Sequence, residues 1–481
     1  MFSTTDTIVA VATPPGRGGI GVVRIGGPDA RAIAAVLIAH RQPLEPRHAT
    51  LTTIREHVAD DTPSAKALEP FPDRCSAKAI ADRRGGAIDQ IVATFFPAPH
   101  SYSGDDVVEL SAHGSPVVLR AIVSAALAAG ARLAEPGEFT LRAFLNGRMD
   151  LMQAEAVADL IESVTPLQAR AAFDQLQGTL TRTIGAIDEA LFDLIARLEA
   201  SVDFPEEGYH FVDPGALAGA IDQLHARTTA LLAASRRGRL VREGFQVAIV
   251  GKPNVGKSSL FNALAGASRA IVTDVPGTTR DLVSEVVDVE GLKVTLVDTA
   301  GLREAGDVVE AEGVRRSHQA QSVADVILVV VDRSAAFEEA DRAIVAATTG
   351  RVRVVVANKA DREAAWTHAA LGEAGAVTVD ASAVSGEGLD EVRRRLVCAL
   401  DVDVHQDRPE ITNVRHIALV QRADEALGRA GLAALENGAS LSEEFVLADL
   451  QDARAALEEI AGRRVTDDLL AHIFAKFCIG K

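Results

Sequence analysis

The sequence predicts a multidomain protein of mixed α+β and α/β class, in which an α/β domain is inserted into a helical domain. The first observation is length, since 481 residues are too many for one hydrophobic core. The second is that the hydrophobic pattern changes character along the chain. These changes delimit an N-terminal α+β domain at residues 1–146, the first part of a helical domain at 147–239, an α/β domain at 240–402 and the second helical part at 403–481.

The N-terminal domain is predicted from short β-rich runs separated by Gly/Pro turns. The runs are Ile20–Ile25, Ile88–Phe96 and Asp106–Ser111, and one helical stretch, Val117–Ala129, accompanies them. Strands and a helix that do not alternate regularly are typical of an α+β domain.

The helical domain is predicted from apolar residues that recur every three or four positions, as on one face of an amphipathic helix. These residues are Leu176, Leu180, Ile184, Ile187, Leu191, Leu194 and Leu198. A segment of prolines, glycine and acidic residues, Asp203–Pro214, interrupts the pattern. In the second part, Ser440 and Glu443 have the spacing of a capping box before a helix over Phe445–Ile460.

The α/β domain is predicted from nearly continuous Val/Ile/Leu runs that alternate with helical stretches. Such runs suit a parallel sheet that is covered by helices on both faces. The predicted strands are Val247–Val250, Lys293–Asp298, Val326–Asp332, Val352–Asn358 and Val377–Asp380.

Composition restricts the function classes. A net charge of −18 argues against a protein that coats nucleic acid by bulk charge, because phosphate binding depends on clustered Lys and Arg. The cysteines Cys75, Cys398 and Cys478 form no CxxC pair, which disfavours a zinc site or a disulfide framework. No signal peptide and no apolar run of membrane-spanning length are visible. A cytoplasmic protein is therefore expected.

A phosphate-binding loop is predicted at residues 251–258, where Gly-Lys-Pro-Asn-Val-Gly-Lys-Ser fits the pattern GxxxxGK[ST] between a strand and a helix. Its glycines let backbone N–H groups curl around phosphate at a helix N-terminus. Lys257 is expected to neutralise the β/γ-phosphates, and the Ser258 hydroxyl to bind Mg²⁺. The nucleotide-binding residues predicted here are Asn254, Val255, Gly256, Lys257, Ser258 and Ser259.

Two further motifs predict the rest of the phosphate and Mg²⁺ site. The first, Asp298-Thr299-Ala300-Gly301, ends a strand, so that Asp298 is placed to hold Mg²⁺ through water and the Gly301 N–H to sense the γ-phosphate. The second is a pair of threonines, Thr278 and Thr279, in the loop after the P-loop helix, where a switch threonine completes the Mg²⁺ shell.

The base is predicted to be guanine. Asn358-Lys359-Ala360-Asp361 closes a strand, and the Asp361 carboxylate can accept hydrogen bonds from two guanine N–H groups at once. Adenine would leave that acid unpaired, a penalty large enough to exclude ATP. Ser382-Ala383 follows the last strand, where a backbone N–H can meet guanine O6. Five motifs in this order at strand ends predict a Ras-like P-loop G domain that binds and hydrolyses GTP.

One position departs from the Ras pattern. Leu302 follows the Asp-Thr-Ala-Gly motif, where Ras has the glutamine that positions the attacking water. Either turnover is very slow or another group replaces the glutamine, and the nearby polar candidates are Arg303, Glu304 and Glu310.

With these motifs, the whole chain resembles a known family, the bacterial tRNA modification GTPases called MnmE or TrmE. Besides the G motifs, the likeness rests on Asp6–Ile25, Ser101–Gly114, Pro136–Ile161 and the terminal Phe477–Lys481. Together with the G motifs, these segments fall in the N-terminal, helical and α/β domains predicted above.

The resemblance implies a TrmE-type G domain whose P-loop asparagine, here Asn254, binds a potassium ion in place of an arginine finger. The family's switch loop corresponds to Thr273, Asp274, Val275, Pro276, Gly277, Thr278 and Thr279. Thr273, Val275 and Thr278 are implied around the potassium ion, with Thr279 on Mg²⁺. The family's water-orienting glutamate aligns with Glu310, and its G domains pair while the N-terminal domains hold a permanent homodimer.

The resemblance also implies a folate ligand and a partner. The N-terminal domain of the family binds a tetrahydrofolate derivative, in the 5-formyl or 5,10-methylene form, as one-carbon donor. The matching residues are Arg24, Glu109, Lys481 and Arg148, the last of which stands where a lysine is usual, and Cys478 is a secondary candidate beside them. With the flavoprotein MnmG (GidA), such a protein installs an aminomethyl or carboxymethylaminomethyl group at C5 of the tRNA wobble uridine.

Two other readings remain open from the sequence. A regulatory or ribosome-assembly GTPase would show the same G motifs without folate affinity. An inactive nucleotide-binding scaffold is suggested by Leu302 and disfavoured by Glu310.

Overall fold

The structure is a computed structural model that describes residues 5–56, 86–203, 214–267, 283–298, 324–372, 377–399, 411–435 and 441–480. Packing divides the chain into two compact units, Met1–Glu155 with Ala461–Lys481, and Ala156–Ile460. Residues after 460 thus group with the N-terminal unit, whereas the sequence assigned all of 403–481 to the helical domain. The domain boundaries drawn from the sequence stay predictions.

The elements follow the chain in this order. Up to residue 203 they are β1 (Ile8–Val11), β2 (Gly18–Gly26), α1 (Ala30–Leu37), β3 (Thr50–Arg55), β4 (Ala87–Phe96), β5 (Val107–Gly114), α2 (Pro116–Ala128), β6 (Arg132–Leu133), α3 (Glu138–Leu145), α4 (Leu151–Glu162), α5 (Pro166–Leu176) and α6 (Thr179–Asp203). After residue 213 they are α7 (Pro214–Ala233), α8 (Ser235–Glu243), β7 (Phe245–Val250), α9 (Lys257–Ala267), β8 (Val283–Val289), β9 (Leu292–Asp298), β10 (Val326–Asp332), α10 (Glu339–Ala347), β11 (Arg353–Asn358), a 3₁₀ helix (His368–Leu371), β12 (Val377–Ala381), α11 (Leu389–Ala399), α12 (Val414–Leu435), α13 (Leu441–Ala461) and α14 (Asp467–Phe474).

The first unit contains a six-stranded sheet in the order β3-β4-β5-β2-β1-β6, antiparallel except for the β1–β6 pair. One face of this sheet packs on helices α1 and α2, and Val9, Val23 and Ile25 point into that core. Since side chains alternate between the faces of a strand, Ile8 and Ala10 lie on the opposite face, against Phe139 of α3. That opposite face carries the candidate ligand residues described below.

The second unit contains a six-stranded sheet in the order β12-β11-β10-β7-β9-β8. All neighbouring strands are parallel except β8, which pairs antiparallel with β9 at the edge. Apolar residues of α9 and α11 fill one face, and the other face packs on α10. The prediction of a parallel sheet covered on both faces is therefore confirmed.

Outside the sheet and the helices that cover it, the described part of the second unit is helical. The long helices α7 and α12 pack along each other, and Thr228 Oγ1 donates to Asp424 Oδ1 at 2.6 Å between them. Arg454 of α13 pairs with Asp188 of α6 at 3.2 Å. The predicted fold class is therefore confirmed. The structure has an α+β unit, an inserted P-loop domain, and helices both before and after that domain in the sequence.

The predicted elements differ from the observed ones in several details, and β1, β3, β6, α1 and α3 of the first unit were not predicted. The apolar pattern from Leu176 to Leu198 spans two helices, because the chain turns at Gly178, which has a left-handed φ of 76°. Strand β8 was not predicted, since the polar residues Ser284, Glu285 and Asp288 interrupt its apolar run. Ser440 and the side chain of Glu443, the predicted capping box, lie outside the described residues.

No helix among the described residues is both long enough and apolar enough to cross a membrane.

Candidate functional site

The predicted phosphate-binding loop joins the end of β7 to the start of α9. The loop occupies residues 251–256, and the helix begins at Lys257. Gly256 has a φ of 94°, and a Cβ at this position would overlap the side-chain amide of Asn358. A strand, a tight glycine turn and a helix N-terminus in succession form a site that suits a phosphate group.

Lys257 and Ser258 lie at the first turn of α9. Lys257 is 8% exposed, and its Nζ donates to the carbonyl of Lys252 at 2.7 Å. Ser258 and Ser259 are exposed at the same helix end. An ammonium and a hydroxyl at a helix N-terminus fit the β/γ-phosphates of a nucleotide and its Mg²⁺ ion.

Asn358 connects three of the predicted motifs. It is 2% exposed, and its Nδ2 donates to the Val255 carbonyl in the P-loop at 2.8 Å. Its Oδ1 accepts from the backbone N–H of Ala383 at 3.2 Å. Strands β11 and β12 are paired, with Asn358 opposite Ala381, so this contact follows from the register. The predicted phosphate-binding loop and the two predicted base-binding segments thus meet at the Asn358 side chain.

Lys359 connects the predicted base-binding segment to the P-loop. Its Nζ donates to the carbonyl of Asn254 at 2.9 Å and lies 2.5 Å from Asp332 Oδ2, at the end of β10. Burial raises the pKa of Asp332, but hydrogen bonds from Lys359 and Ser334 outweigh burial and hold that pKa below its ordinary value. The ionised Asp332 therefore orients the Lys359 ammonium. The side chain of Asn254 itself is exposed.

Asp361, the predicted guanine-recognition acid, is exposed and held by one neighbour. Ser382 Oγ donates to Asp361 Oδ1 at 2.6 Å, and Ser382 is fully buried. That hydrogen bond is the largest cause of a lowered Asp361 pKa. The Ala360 N–H donates to the Ala381 carbonyl at 3.0 Å, which fixes the segment beside β12. The carboxylate is therefore ionised at neutral pH, and the Ser382 hydroxyl fixes its orientation.

Part of the predicted site is not described. Asp298 is the last residue of β9, where it pairs with Ile249 of β7, so its backbone lies next to the strand that leads into the P-loop. The predicted site residues outside the described part of the chain are Thr273, Asp274, Val275, Pro276, Gly277, Thr278, Thr279, Thr299, Ala300, Gly301, Glu310 and Lys481. Their assignments stay predictions.

In the first unit, the structure brings Arg24 and Glu109 together. They are opposite each other on β2 and β5, and both Nε and Nη2 of Arg24 donate to Glu109 Oε1, at 3.0 and 2.8 Å. The guanidinium lies over the rings of Tyr102 and Phe139, with centroid distances of 5.1 and 5.4 Å. A charged pair beside two aromatic rings can bind a flat, polar-edged ligand.

The C-terminal segment reaches the same place. Arg24 Nη1 donates to the Gly480 carbonyl at 3.2 Å, and the Cys478 carbonyl accepts from the Gly137 N–H at 3.3 Å. Cys478 is an exposed, free cysteine. Arg148 is exposed, and its Cγ lies beside Gly104 in the loop that also carries Tyr102. Three of the predicted folate residues thus lie around one face of the sheet, Arg24 and Glu109 in direct contact and Arg148 at its margin.

Sequence reasoning missed several residues of these sites. Tyr102 and Phe139 frame Arg24, and Asp332 orients Lys359. For Asp332 a signal existed, because a single acid ends an otherwise apolar strand at the sheet edge where ligands of parallel α/β domains bind. The two aromatic residues carried no comparable signal, since each is also an ordinary core residue.

Comparison with known proteins identifies the family. The chain matches the model described as GTP-binding protein TrmE N-terminus over residues 7–148 and the MnmE helical domain over residues 151–478. It is 43% identical over 478 residues to the tRNA modification GTPase MnmE of Koribacter versatilis (strain Ellin345), covering 99% of each chain. With the protein of that name from Nitrosomonas europaea, it shares 41% identity over 483 residues, covering 100% of each.

Among solved structures, the chain aligns with the G domain of the FeoB iron transporter of T. maritima at 27% identity. That alignment covers 32% of this chain and 98% of the other, with a TM-score of 0.26, too low to add to the family assignment. The family models and the full-length relatives confirm the resemblance found in the sequence. The chain belongs to the MnmE (TrmE) family of tRNA modification GTPases.

Proposed function

We propose that the chain is a potassium-dependent, dimerisation-activated GTPase that works with the flavoprotein MnmG (GidA) on tRNA in the cytoplasm. Its product is an aminomethyl or carboxymethylaminomethyl group at C5 of the wobble uridine, built with a one-carbon unit from a tetrahydrofolate derivative. The observation that carries the proposal is that one chain of this family combines a guanine-nucleotide site with an Arg24–Glu109 cluster on a separate sheet.

In the nucleotide site, each residue has a proposed role. Lys257 neutralises the β/γ-phosphates, and the Asp361 carboxylate accepts from two guanine N–H groups. Ser258 and Thr279 would hold Mg²⁺, which supplies positive charge between the phosphates, with Asp298 binding through water. The nucleotide contacts come from the P-loop residues 254–259, the switch residues 273–279 and 298–301, and the base-binding residues 358–361 and 382–383.

A potassium ion is proposed beside the P-loop. Asn254, Thr273, Val275 and Thr278 would hold it, and its charge would stabilise the negative charge that develops on the phosphates. In the described residues, Asn254 fits this role because its backbone is held by Lys359 at φ 64° while its side chain is exposed. Glu310 is proposed to orient the attacking water, which Leu302 cannot do.

Exchange of the monovalent cation tests the potassium site. GTP turnover by the full-length protein is expected to fall by about 10-fold or more when KCl is replaced by NaCl at equal ionic strength, since one well-placed charge stabiliser contributes that much or more. The smaller sodium ion would fit the same oxygens poorly. Asn254→Ala should remove the difference between the two salts. Equal turnover of the wild-type protein in potassium and sodium would contradict the proposal.

The folate ligand is proposed at the Arg24–Glu109 cluster. Both arginine contacts end on Oε1 of Glu109, so among the described contacts Oε2 remains an acceptor for N–H groups of a pterin-type ring. Tyr102 and Phe139 supply aromatic surface beside it. Arg148 and Lys481 would supply positive charge for the carboxylates of a glutamate tail.

Binding of 5-formyl-tetrahydrofolate, measured by calorimetry, tests this site. Glu109→Gln and Arg24→Met are each expected to weaken binding by about 10-fold or more, because a charged hydrogen-bonding group is lost. Arg31→Met is the matched control, since Arg31 lies over the Phe95 ring of the same unit but is exposed. GTP turnover should not change in any of the three. Wild-type affinity in Glu109→Gln would contradict the assignment.

The proposal includes a homodimer, as the resemblance to the family implies. The N-terminal domain, residues 1–146, is proposed to hold a permanent homodimer, and the G domains, residues 240–402, to pair through their switch regions during hydrolysis. Opening and closing of the G domains, rather than the carbon chemistry, is then what GTP hydrolysis drives.

A further inference from the structure

The P-loop carries a second lysine, Lys252, whose side chain contacts helix α10. Its Nζ lies 2.8 Å from Glu338 Oε2 and 2.7 Å from Asp341 Oδ2. The hydrogen bonds to Asp341 and Glu338 raise the pKa of Lys252, so the ammonium is charged at neutral pH. The side chain is therefore directed to two carboxylates on a neighbouring element.

These two carboxylates are held in place by the helix itself. Glu338 is the N-cap of α10 and Asp341 is its third residue, and together they form a capping box. The Glu338 backbone N–H donates to Asp341 Oδ2 at 3.0 Å, and Asp341 is 4% exposed. Because the N-terminus of α10 fixes Glu338 and Asp341, the ion pairs of Lys252 with these two carboxylates restrain the P-loop.

The backbone of the same residue contacts the phosphate-binding lysine. The Lys252 carbonyl accepts the hydrogen bond from Lys257 Nζ at 2.7 Å. Lys252 is thus held through its side chain on α10 while its carbonyl contacts the Lys257 ammonium. From this juxtaposition we propose that Lys252 is a positioning residue for GTP binding: its side chain anchors the P-loop to α10 and so fixes the carbonyl that orients Lys257. The inference rests on the proposed nucleotide site.

A surface ion pair on the same helix shows why burial matters here. Arg342 and Glu339 of α10 are 56% and 87% exposed in their 3.2 Å contact, and exposed pairs of this kind contribute little. The Lys252 side chain is 21% exposed and meets a carboxylate that is 4% exposed. Loss of the Lys252 charge removes the ion pair of the buried Asp341 carboxylate, and with it the side-chain contact between the P-loop and α10.

The test compares Lys252→Met, which removes the charge but keeps a long unbranched side chain, with Arg342→Met as the control on α10. Affinities for fluorescent GDP and GTP analogues are measured by fluorescence with the full-length protein, together with kcat and KM. Lys252→Met is expected to weaken both affinities by about 10-fold, with kcat at saturating GTP within about twofold of wild type. Arg342→Met should match wild type in every quantity. A raised KM with an unchanged kcat would distinguish a positioning role from a general loss of fold, which would lower kcat as well.

Two further variants make the outcome decisive. Lys252→Arg keeps the charge and should restore most of the affinity. The double variant Lys252→Met with Asp341→Asn should bind GTP no more weakly than the weaker-binding of the two single variants. The reason is that both substitutions remove the same Lys252–Asp341 contact. Wild-type affinity of Lys252→Met, or additive losses in the double variant, would overturn the positioning role. Failure of the wild-type protein to bind guanine nucleotide would instead contradict the proposed site itself.

Discussion

Asp361→Asn is expected to weaken GTP binding by about 100-fold or more and to make the protein prefer xanthosine triphosphate. Guanine offers two N–H groups to the carboxylate, and an asparagine amide would place its own N–H donors against one of them. Xanthine carries an oxygen at that position, which the amide can satisfy. Because Ser382 Oγ can donate to an amide oxygen as it does to Asp361 Oδ1, the loop itself should keep its conformation.

Competition of both nucleotides for a fluorescent GDP analogue measures this change. Glu363→Gln is the matched control, since it removes an exposed acid two residues away and should leave both affinities unchanged. An Asp361→Asn protein that still prefers GTP would show that another group reads the base.

Gly256→Ala is expected to reduce GTP affinity by about 100-fold or more, which is the second large effect. The added Cβ would overlap the Asn358 side chain, and the φ of 94° is one that alanine rarely adopts. Asn358 would have to move away from Val255 and Ala383, so the contact that joins the phosphate loop to the base-binding segments is lost. Turnover at cellular GTP concentrations should fall with it.

Gly266→Ala is the control for this substitution. Gly266 lies in α9, and a Cβ there meets nothing within 4 Å, so this change should leave nucleotide binding unchanged and raise helix stability by up to about 1 kcal/mol. Thermal melting and nucleotide titration of both variants separate the two effects. Normal GTP affinity in Gly256→Ala would mean that the loop does not hold phosphate as proposed.

That the predicted nucleotide-binding motifs meet at one edge of the sheet could be expected from the sequence, and the reason is physical. Parallel strands all have their carboxyl ends at one edge of the sheet, so the motifs at the ends of β7, β11 and β12 must meet there. The hydrogen bonds of the Asn358 side chain to the backbone of Val255 and of Ala383 show that these motifs do meet there. Strand β8 was missed because three of its seven residues are polar, and only its pairing with β9 identifies it as a strand.

Contacts between side chains distant in sequence could not be predicted in the same way. Arg24 and Glu109 are 85 residues apart, and their pairing depends on the register of β2 and β5. The contacts of Lys252 with Glu338 and Asp341 depend on where α10 begins relative to the P-loop. In both cases the residue types are common surface residues, and only the geometry distinguishes them. For the Arg24 cluster, the resemblance to a family supplied the expectation.

Nucleoside mass spectrometry of tRNA from a strain that lacks the gene tests the proposed role of this GTPase in modification of the wobble uridine. We expect the aminomethyl-type group at C5 of that uridine to be absent from the deletion strain and restored by the wild-type gene. Gly256→Ala should fail to restore it, whereas Gly266→Ala should succeed. Normal wobble-uridine modification in the deletion strain would contradict the account.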